Sequence, residues 1–449
     1  MCGIFGAVAL PGHYGAADKH LTHLLETSKL RGRDGSGYEM FEWGFIGASR
    51  ARPLPEGTTF TYPHKFKDMS IVFNGTLSNA DEIACEEEIS MTVDTQVIGP
   101  MVTKYGSIGA AERFVGGFAI IIGQEEKGLT IIRNFKTLYY VRLEDCILIA
   151  SEKEFLEPLG GGLMSGQEPM SFPRNHVVKI GPDGNIRSRP FKPSIWGGCE
   201  LDENKAIIVA SGGIDSATAA AVAKNMHGKD VMMLNFDYGQ RSAVREWQAV
   251  KDVAKALGVA AEHIKVDFTK VYSGSPLTDR SMELPLGKKS VESTLCWVPA
   301  RNFSMLSIAA SMAEARGYKW LYFGNNMEEE ATGYSDNDLE FVVRMNAVLE
   351  YGTLRSVKIK RALARLMKIE IIALGTMLGV PFDKTWSCDE GFEQPCGICG
   401  CCTTRRHAFV EAGIPDEQEY LHPLKDEYFS GNPVKPTFSL ATLSSLVGD

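Results

Sequence analysis

Residues 206–226 limit the fold more than any other stretch: an apolar run at 206–209, a Ser-Gly-Gly turn at 211–213 and an Ala-rich segment at 216–226. A buried strand that passes through two glycines straight into a helix is half of a parallel unit and calls for further strands beside it. They follow. Strand-like and helix-like segments alternate at 231–236, 243–257, 263–266, 303–315 and 320–323, the rhythm of a doubly wound parallel sheet. Residues 2–178 read differently, with short β-like runs at 3–9, 70–73, 117–122, 129–133 and 146–150 between Gly-rich turns, and helical patterning only at 19–30 and 97–104. Between the two, residues 181–204 collect Pro182, Pro190, Pro193 and the pair Gly197-Gly198 without a sustained period. The expected organisation is a sheet-rich domain at 2–180, a linker at 181–204 and an α/β domain at 205–449.

Charge and hydropathy exclude several function classes. Lys plus Arg is 47 against 56 Asp plus Glu, a net charge of −9, so the chain does not coat nucleic acid non-specifically. No apolar run reaches the ~18 residues of a membrane helix, and the apolar opening at 4–10 lacks the basic region of a signal peptide. A cytoplasmic protein with no membrane partner is expected. In that reducing setting the crowding of five of the ten cysteines between Cys388 and Cys402 points to metal rather than disulfides. Cys388, Cys396, Cys399 and Cys402 follow C-x7-C-x2-C-x2-C, and Gly397 and Gly400 give the turns that aim neighbouring sulfurs at one ion. Four thiolates close a tetrahedral Zn2+ site and leave no open position, which assigns the metal to folding. A redox pair within the cluster is the competing reading. Cys401 reads as a bystander.

Cys2 stands where removal of Met1 would give it a free α-amine, a base that titrates near pH 8 and can take the thiol proton. Downstream come Arg31-Gly32-Arg33-Asp34-Gly35-Ser36-Gly37, Gly47-Ala48-Ser49-Arg50, Asn74-Gly75-Thr76-Leu77-Ser78-Asn79 and Asp94-Thr95-Gln96. Residues 2 to about 180 thereby resemble the class II glutamine amidotransferase domain. The resemblance implies an N-terminal-nucleophile αββα sandwich in which Cys2 attacks the glutamine amide. It puts the oxyanion hole on Asn74 and Gly75, and glutamine binding on Arg50 and Asp94. A tetrahedral oxyanion needs preorganised donors, and a zwitterionic amino acid needs one fixed cation and one fixed anion. Arg33, Ala48 and Gln96 depart from the family's usual Pro, His and Glu.

Ser211-Gly212-Gly213-Ile214-Asp215-Ser216 lets backbone N–H groups approach an anion at a helix start. No Gly-Lys-Ser/Thr follows, so it is not a Walker loop. It resembles the pyrophosphate loop of the N-type ATP pyrophosphatases, which adenylate a carboxyl or amide oxygen. With Phe236-Asp237-Tyr238-Gly239-Gln240-Arg241, Trp297-Val298-Pro299-Ala300-Arg301-Asn302, Gly333-Tyr334-Ser335-Asp336, Lys368, Arg405 and the cysteine set, residues 205–407 resemble the 7-cyano-7-deazaguanine synthase family. That resemblance implies an ATP pyrophosphatase fold with structural zinc, and use of ATP with Mg2+. It assigns ATP binding to Ser211, Gly212, Gly213, Asp215, Ser216 and Lys368, and base contacts to Asp237, Tyr238, Gln240, Arg301, Asn302 and Asp336. The implied reaction converts 7-carboxy-7-deazaguanine to the 7-amido and 7-cyano base with ammonia from glutamine.

Asn337-Asp338 stands where the synthase family has Cys-Arg. A charge reversal beside a base pocket points to a changed acceptor. The alternative acceptors are a tRNA, as in archaeosine-type amidination, or DNA or a protein partner, as in bacterial and phage defence systems. Arg355, Lys358, Lys360, Arg361 and Arg365 form a basic stretch that is either a solvated helix face or a patch for such a partner. An asparagine synthetase-like enzyme, or an amidotransferase domain kept for docking, are more remote readings. A homodimer is expected by analogy with relatives of both domains.

Overall fold

A computed structural model describes residues 2–51, 61–159, 168–194, 200–266, 274–286, 296–328 and 333–423; the Gly197-Gly198 pair of the expected linker lies outside them. The chain divides into two compact units, Met1–Gly197 and Gly198–Asp449. No helix among the described residues is long and apolar enough to cross a membrane.

In the first unit the strands are β1 (Gly3–Ala9), β2 (Ser36–Phe41), β3 (Gly44–Ser49), β4 (His64–Phe66), β5 (Met69–Leu77), β6 (Gly116–Gln124), β7 (Gly128–Arg133), β8 (Tyr139–Arg142), β9 (Cys146–Ala150), β10 (Met170–Ser171), β11 (His176–Ile180) and β12 (Ile186–Pro190). They make two six-stranded sheets, β10-β8-β9-β1-β3-β2 and β12-β11-β7-β6-β5-β4, antiparallel at every pairing. The helices are α1 (Leu21–Ser28), α2 (Ala80–Glu86) and α3 (Ile98–Ala111).

The side chains sort into layers with the strand period of two. Ile4, Val8, Ile46 and Ala48 of one sheet meet Val72, Ala119, Ile121 and Ile131 of the other. The alternate residues face outward: Phe5, Ala7 and Phe45 pack with Leu24 of α1, while Ile71, Phe73, Ile120 and Ile122 pack with Ile83 of α2 and Ile98 and Met101 of α3. The result is the helix–sheet–sheet–helix sandwich. A one-residue slip in register would move each of these apolar sets to the wrong layer, so the register is strongly specified.

The second unit holds β13 (Asp202–Val209), β14 (Val231–Asp237), β15 (Ala260–Lys265), β16 (Tyr318–Phe323) and β17 (Lys358–Ile359) as a five-stranded sheet in the order β15-β14-β13-β16-β17, parallel throughout. Its helices are α4 (Ile214–His227), α5 (Ala243–Leu257), α6 (Arg301–Arg316), α7 (Leu339–Gly352), α8 (Lys368–Met377) and α9 (Gly400–Ala412). One core cluster joins Ile208 and Met233 to α4, α5 and α8. The other joins Ile207, Leu234 and Leu321 to α6 and α7. Both faces of the sheet are covered, which is why its strands read as continuous apolar runs.

Several stretches differ from their sequence reading, the helix α2 at Ala80–Glu86 among them. Residues 186–190 of the expected linker form β12, an exposed edge strand carrying Arg187, Arg189 and Pro190, and edge strands of this kind hide from apolar patterning. The basic stretch from Arg355 is not a helix face: Lys358 lies on β17, and Lys360 sits 4.6 Å from the Trp320 ring centroid.

Candidate functional site

Gly3 pairs with Ser49 across β1 and β3, so Cys2 and Arg50, one residue beyond the pair, leave the sheet at the same end. Arg50 is clasped by the preceding loop, its N–H donating to Gly35 O at 2.8 Å and its carbonyl accepting from Asp34 N at 2.9 Å. Asn74 lies on β5 at 1% exposure, and neither Oδ1 nor Nδ2 has a hydrogen-bond partner among the described residues. A buried amide left unpaired costs about 1–3 kcal/mol, which is tolerable where the group waits for a ligand. At Gly75 a Cβ would sit 2.2 Å from Gly117 O, so only glycine lets β5 and β6 approach there.

Asp94 opens the turn Asp94–Val97 and accepts from Leu77 N at 3.2 Å. Burial raises its carboxyl above the ordinary range, while the backbone N–H of Leu77 and the Arg50 charge act in the other direction. Gln96 serves in place of Glu because its Oε1 accepts from Thr92 N at 2.6 Å and Val93 N at 3.1 Å, a capping role that needs no charge. Tyr62, which no motif marked, lies among these groups. Arg50 Cζ is 5.9 Å from its ring centroid and Thr95 Oγ1 is 3.5 Å from its hydroxyl. Burial pushes the phenol up to about 12, and the charges of Cys2, Arg50 and Asp94 all act on it.

In the second unit the phosphate-type loop joins β13 to α4. Gly212 has φ 80°, and a Cβ there would lie 2.8 Å from Ala249 Cβ and 2.9 Å from Glu246 O, so the turn is both left-handed and pressed against α5. Ser216 Oγ accepts from Gly212 N at 3.1 Å and donates to Gly213 O at 3.2 Å. Lys368 comes from far along the chain, yet its Nζ lies 2.6 Å from Asp215 Oδ2, with both side chains largely buried. The loop therefore offers glycine backbone, hydroxyls, a helix start and an ammonium group together, a set suited to a polyphosphate.

Cys388, Cys396, Cys399 and Cys402 are all buried, with their sulfurs within 4.8 Å of one another and Cys396 Sγ 4.0 Å from Cys402 Sγ. Backbone N–H groups donate to sulfur: Cys396 to Cys388 at 3.3 Å, Cys399 to Cys396 at 3.3 Å and Cys402 to Cys399 at 3.5 Å. The neighbouring thiols of Cys388, Cys399 and Cys402, with the Ile398 N–H at 3.5 Å, hold Cys396 well below the usual thiol range, while the same contacts and burial push Cys399 up. The donor set fits one tetrahedral zinc ion. Cys401 is exposed, outside the set. A second trio, His20, Asp145 and Cys146, also lies within 4.8 Å. There the Lys19 ammonium sits 2.5 Å from Asp145 Oδ2 and burial pushes the Cys146 thiol up to about 12, so lysine already supplies the positive charge.

Arg405, 1% exposed, ties the cysteine module to the loop. It donates from Nε and Nη2 to the two Asp416 carboxylate oxygens at 3.0 and 2.9 Å, from Nη1 to Thr385 Oγ1 at 2.6 Å and from Nη2 to Phe382 O at 2.9 Å. The segment it grips then donates from Trp386 N to Gly212 O at 2.8 Å.

The residues expected to contact a base divide into two groups. Tyr238, Arg301 and Asp336 converge: Arg301 Nη1 donates to Tyr238 Oη at 3.2 Å, and the Tyr238 oxygen, Asp336 and Glu246 together hold the guanidinium above its ordinary range. Burial pushes the Tyr238 phenol up to about 12. Gln240 instead shapes the turn, accepting from Tyr238 N at 2.9 Å and donating to Phe236 O at 3.0 Å and Glu246 Oε2 at 2.9 Å. Asp237 likewise accepts from Gly239 N at 3.0 Å, and Asn302 Oδ1 accepts from Arg301 Nε at 3.4 Å. Glu246 and Asp389 are enclosed carboxyls that the motifs did not single out; burial raises both. Asp338 is the N-cap of α7, its Oδ1 accepting from Glu340 N at 2.8 Å, and Asn337 is buried, its carbonyl accepting from Asn325 Nδ2 at 3.3 Å. Asp338 therefore serves as a helix cap.

Residues 205–413 match the family described as queuosine biosynthesis protein QueC, and residues 60–158 match a glutamine amidotransferase domain. The chain is 29% identical to 7-cyano-7-deazaguanine synthase 2 of Sulfurisphaera tokodaii over 94% of this chain and 100% of that one. It is 39% identical to the Methanococcus aeolicus 7-cyano-7-deazaguanine synthase, covering 48% of this chain and 99% of that one. Among solved structures, a B. subtilis glutamine phosphoribosylpyrophosphate amidotransferase aligns over 87% of this chain and 95% of its own at 14% identity and a TM-score of 0.34. With one motif set in each unit, one relative matched along nearly the whole chain and another, 39% identical, matched along 99% of its own length, this chain belongs to the 7-cyano-7-deazaguanine synthase family and carries a glutamine amidotransferase domain ahead of the synthase domain.

Proposed function

We propose that the chain is an ATP- and glutamine-dependent amidotransferase that converts 7-carboxy-7-deazaguanine to its 7-amido and 7-cyano forms. The observation that carries the reading is the match of both units, in one chain, to a full-length synthase relative. The chemistry explains why the two belong together. A carboxylate is a poor electrophile until adenylated, and ammonia in neutral water is mostly ammonium, which cannot attack; a glutaminase in the same chain supplies the neutral amine.

In this reading the Cys2 thiol, freed of Met1, attacks the glutamine amide, and Asn74 and Gly75 stabilise the oxyanion. Ammonia leaves first, and water then releases glutamate. Arg50 and Asp94 hold the α-carboxylate and α-ammonium. In the second unit the Ser211–Ser216 loop and Lys368 hold the ATP phosphates with Mg2+ while the base carboxylate attacks the α-phosphorus and expels pyrophosphate. Ammonia displaces AMP to give the amide, and a second ATP activates the amide oxygen, whose departure with AMP leaves the nitrile. Tyr238, Arg301 and Asp336 bind the base, with Gln240 and Glu246 setting their geometry. Zinc at the four cysteines would supply a rigid fold.

The test is mass spectrometry of the product formed from amide-15N glutamine, ATP, magnesium and 7-carboxy-7-deazaguanine. The label is expected in the base. Cys2→Ala is expected to lose glutamine-supported turnover by at least about 10³-fold while ammonium chloride still supports it. Full glutamine-dependent turnover by that variant would sink the proposal.

A further inference from the structure

We infer that Tyr62 positions the amino-acid end of glutamine, forming a wall of the site between Arg50 and Asp94. The inference rests on the N-terminal unit being a glutaminase. Cys2, Arg50 and Asp94 come from separate stretches of the sequence, and Tyr62 is the side chain around which they gather. The Arg50 guanidinium lies over its ring at 5.9 Å, a distance at which the ring quadrupole still attracts a cation and restrains its direction. The hydroxyl faces Thr95, the immediate neighbour of Asp94, at 3.5 Å. The backbone is seated too: a Cβ on Gly37 would stand 2.0 Å from Tyr62 O, and Gly37 pairs with Ala48, two residues before Arg50. Gly37 is therefore the close approach that lets Tyr62 lie over this end of the sheet.

The phenol is protonated at neutral pH, as an ordinary tyrosine is, and burial pushes it further up, to about 12. It therefore cannot take the Cys2 proton, and its role is positional rather than catalytic. A neutral aromatic wall is also what the substrate class requires. A zwitterion held by one cation and one anion is best discriminated where water is kept from between them, and a ring excludes water without adding a charge that would disturb either.

The experiment compares wild type, Tyr62→Phe and Tyr62→Ala in the full chain. Two reagents are used: 6-diazo-5-oxonorleucine, a glutamine-shaped alkylator that must be bound by its amino-acid end, and iodoacetamide, which needs only an exposed thiol. Tyr62→Phe is expected to raise the glutamine KM about three- to fivefold with kcat within about twofold, as loss of a positional contact should. Tyr62→Ala is expected to slow inactivation by the glutamine analogue by at least about 30-fold while iodoacetamide alkylates Cys2 at a rate within about twofold of wild type. Unchanged KM and analogue reactivity in Tyr62→Ala would overturn the inference. So would equal losses with both reagents, which signal collapse of the site. Wild-type protein that neither hydrolyses glutamine nor reacts with the analogue would instead remove the glutaminase reading, and this inference with it, before any substitution is made.

Discussion

Asp94 sits where ionisation is unfavourable, since burial raises its carboxyl and the Leu77 N–H and Arg50 charge act against that only in part. A carboxyl with a folded pKa above its unfolded value subtracts from stability at neutral pH. The penalty fades as pH falls through the folded value. Asp94→Asn should therefore hold or raise the melting temperature of the first unit. It should also raise the glutamine KM at least about tenfold, equivalent to about 1.4 kcal/mol, as the counter-charge to the α-ammonium is lost. The acid limb of kcat/KM for glutamine hydrolysis should lie above the ordinary carboxylate range and vanish in the variant. Thermal melts beside a pH–rate profile check both, and a variant that loses stability and binding together would make Asp94 a structural residue. Burial decides legibility at this scale. Asp94 could be named from its motif, but Tyr62, Glu246 and Asp389 owe their surroundings to remote segments, and no local pattern marks them.

At the scale of elements, Gly212 marks where the β13–α4 turn touches α5. An alanine there meets a left-handed φ, which costs roughly 1–2 kcal/mol, as well as Ala249 Cβ and Glu246 O at under 3 Å. Neither neighbour is a flexible side-chain tip, so the loop or α5 must shift. Gly212→Ala is expected to cut pyrophosphate release from ATP by at least about 10²-fold while glutamine hydrolysis, which uses the other unit, continues; assaying both products in one reaction mixture decides it. The strands flanking this turn were readable because both faces of the sheet are covered. β2 was not, since its residues alternate between exposed and half-buried and Gly37, Tyr38, Glu39 and Met40 give no apolar alternation. β12 was lost for the related reason that it is exposed along its whole length. In the first unit the sequence shows β1, β6, β7 and β9 as apolar runs, but the four-layer arrangement emerges only when alternate residues are followed to opposite cores.

For the whole molecule, each unit has core clusters of its own among the described residues, three in the first and three in the second. Within the second unit the parts are joined. The cysteine module reaches the phosphate loop through Arg405, the 382–388 segment and the Trp386–Gly212 hydrogen bond. Breaking a buried ion pair such as Arg405–Asp416 costs roughly 3–5 kcal/mol, because a buried charge is left behind, and lysine cannot reproduce the forked contacts. Removal of zinc by a chelator under reducing conditions should therefore release about one equivalent per chain and lower the melting temperature of the second unit. It should also raise the KM for ATP before turnover disappears, with glutamine hydrolysis persisting. Arg405→Lys should reproduce the ATP defect with zinc still bound, as counted by metal analysis. If zinc loss instead abolished base conversion with the KM for ATP unchanged, the metal would be acting at the base site, and the path from Arg405 to Gly212 would be packing without consequence for phosphate binding.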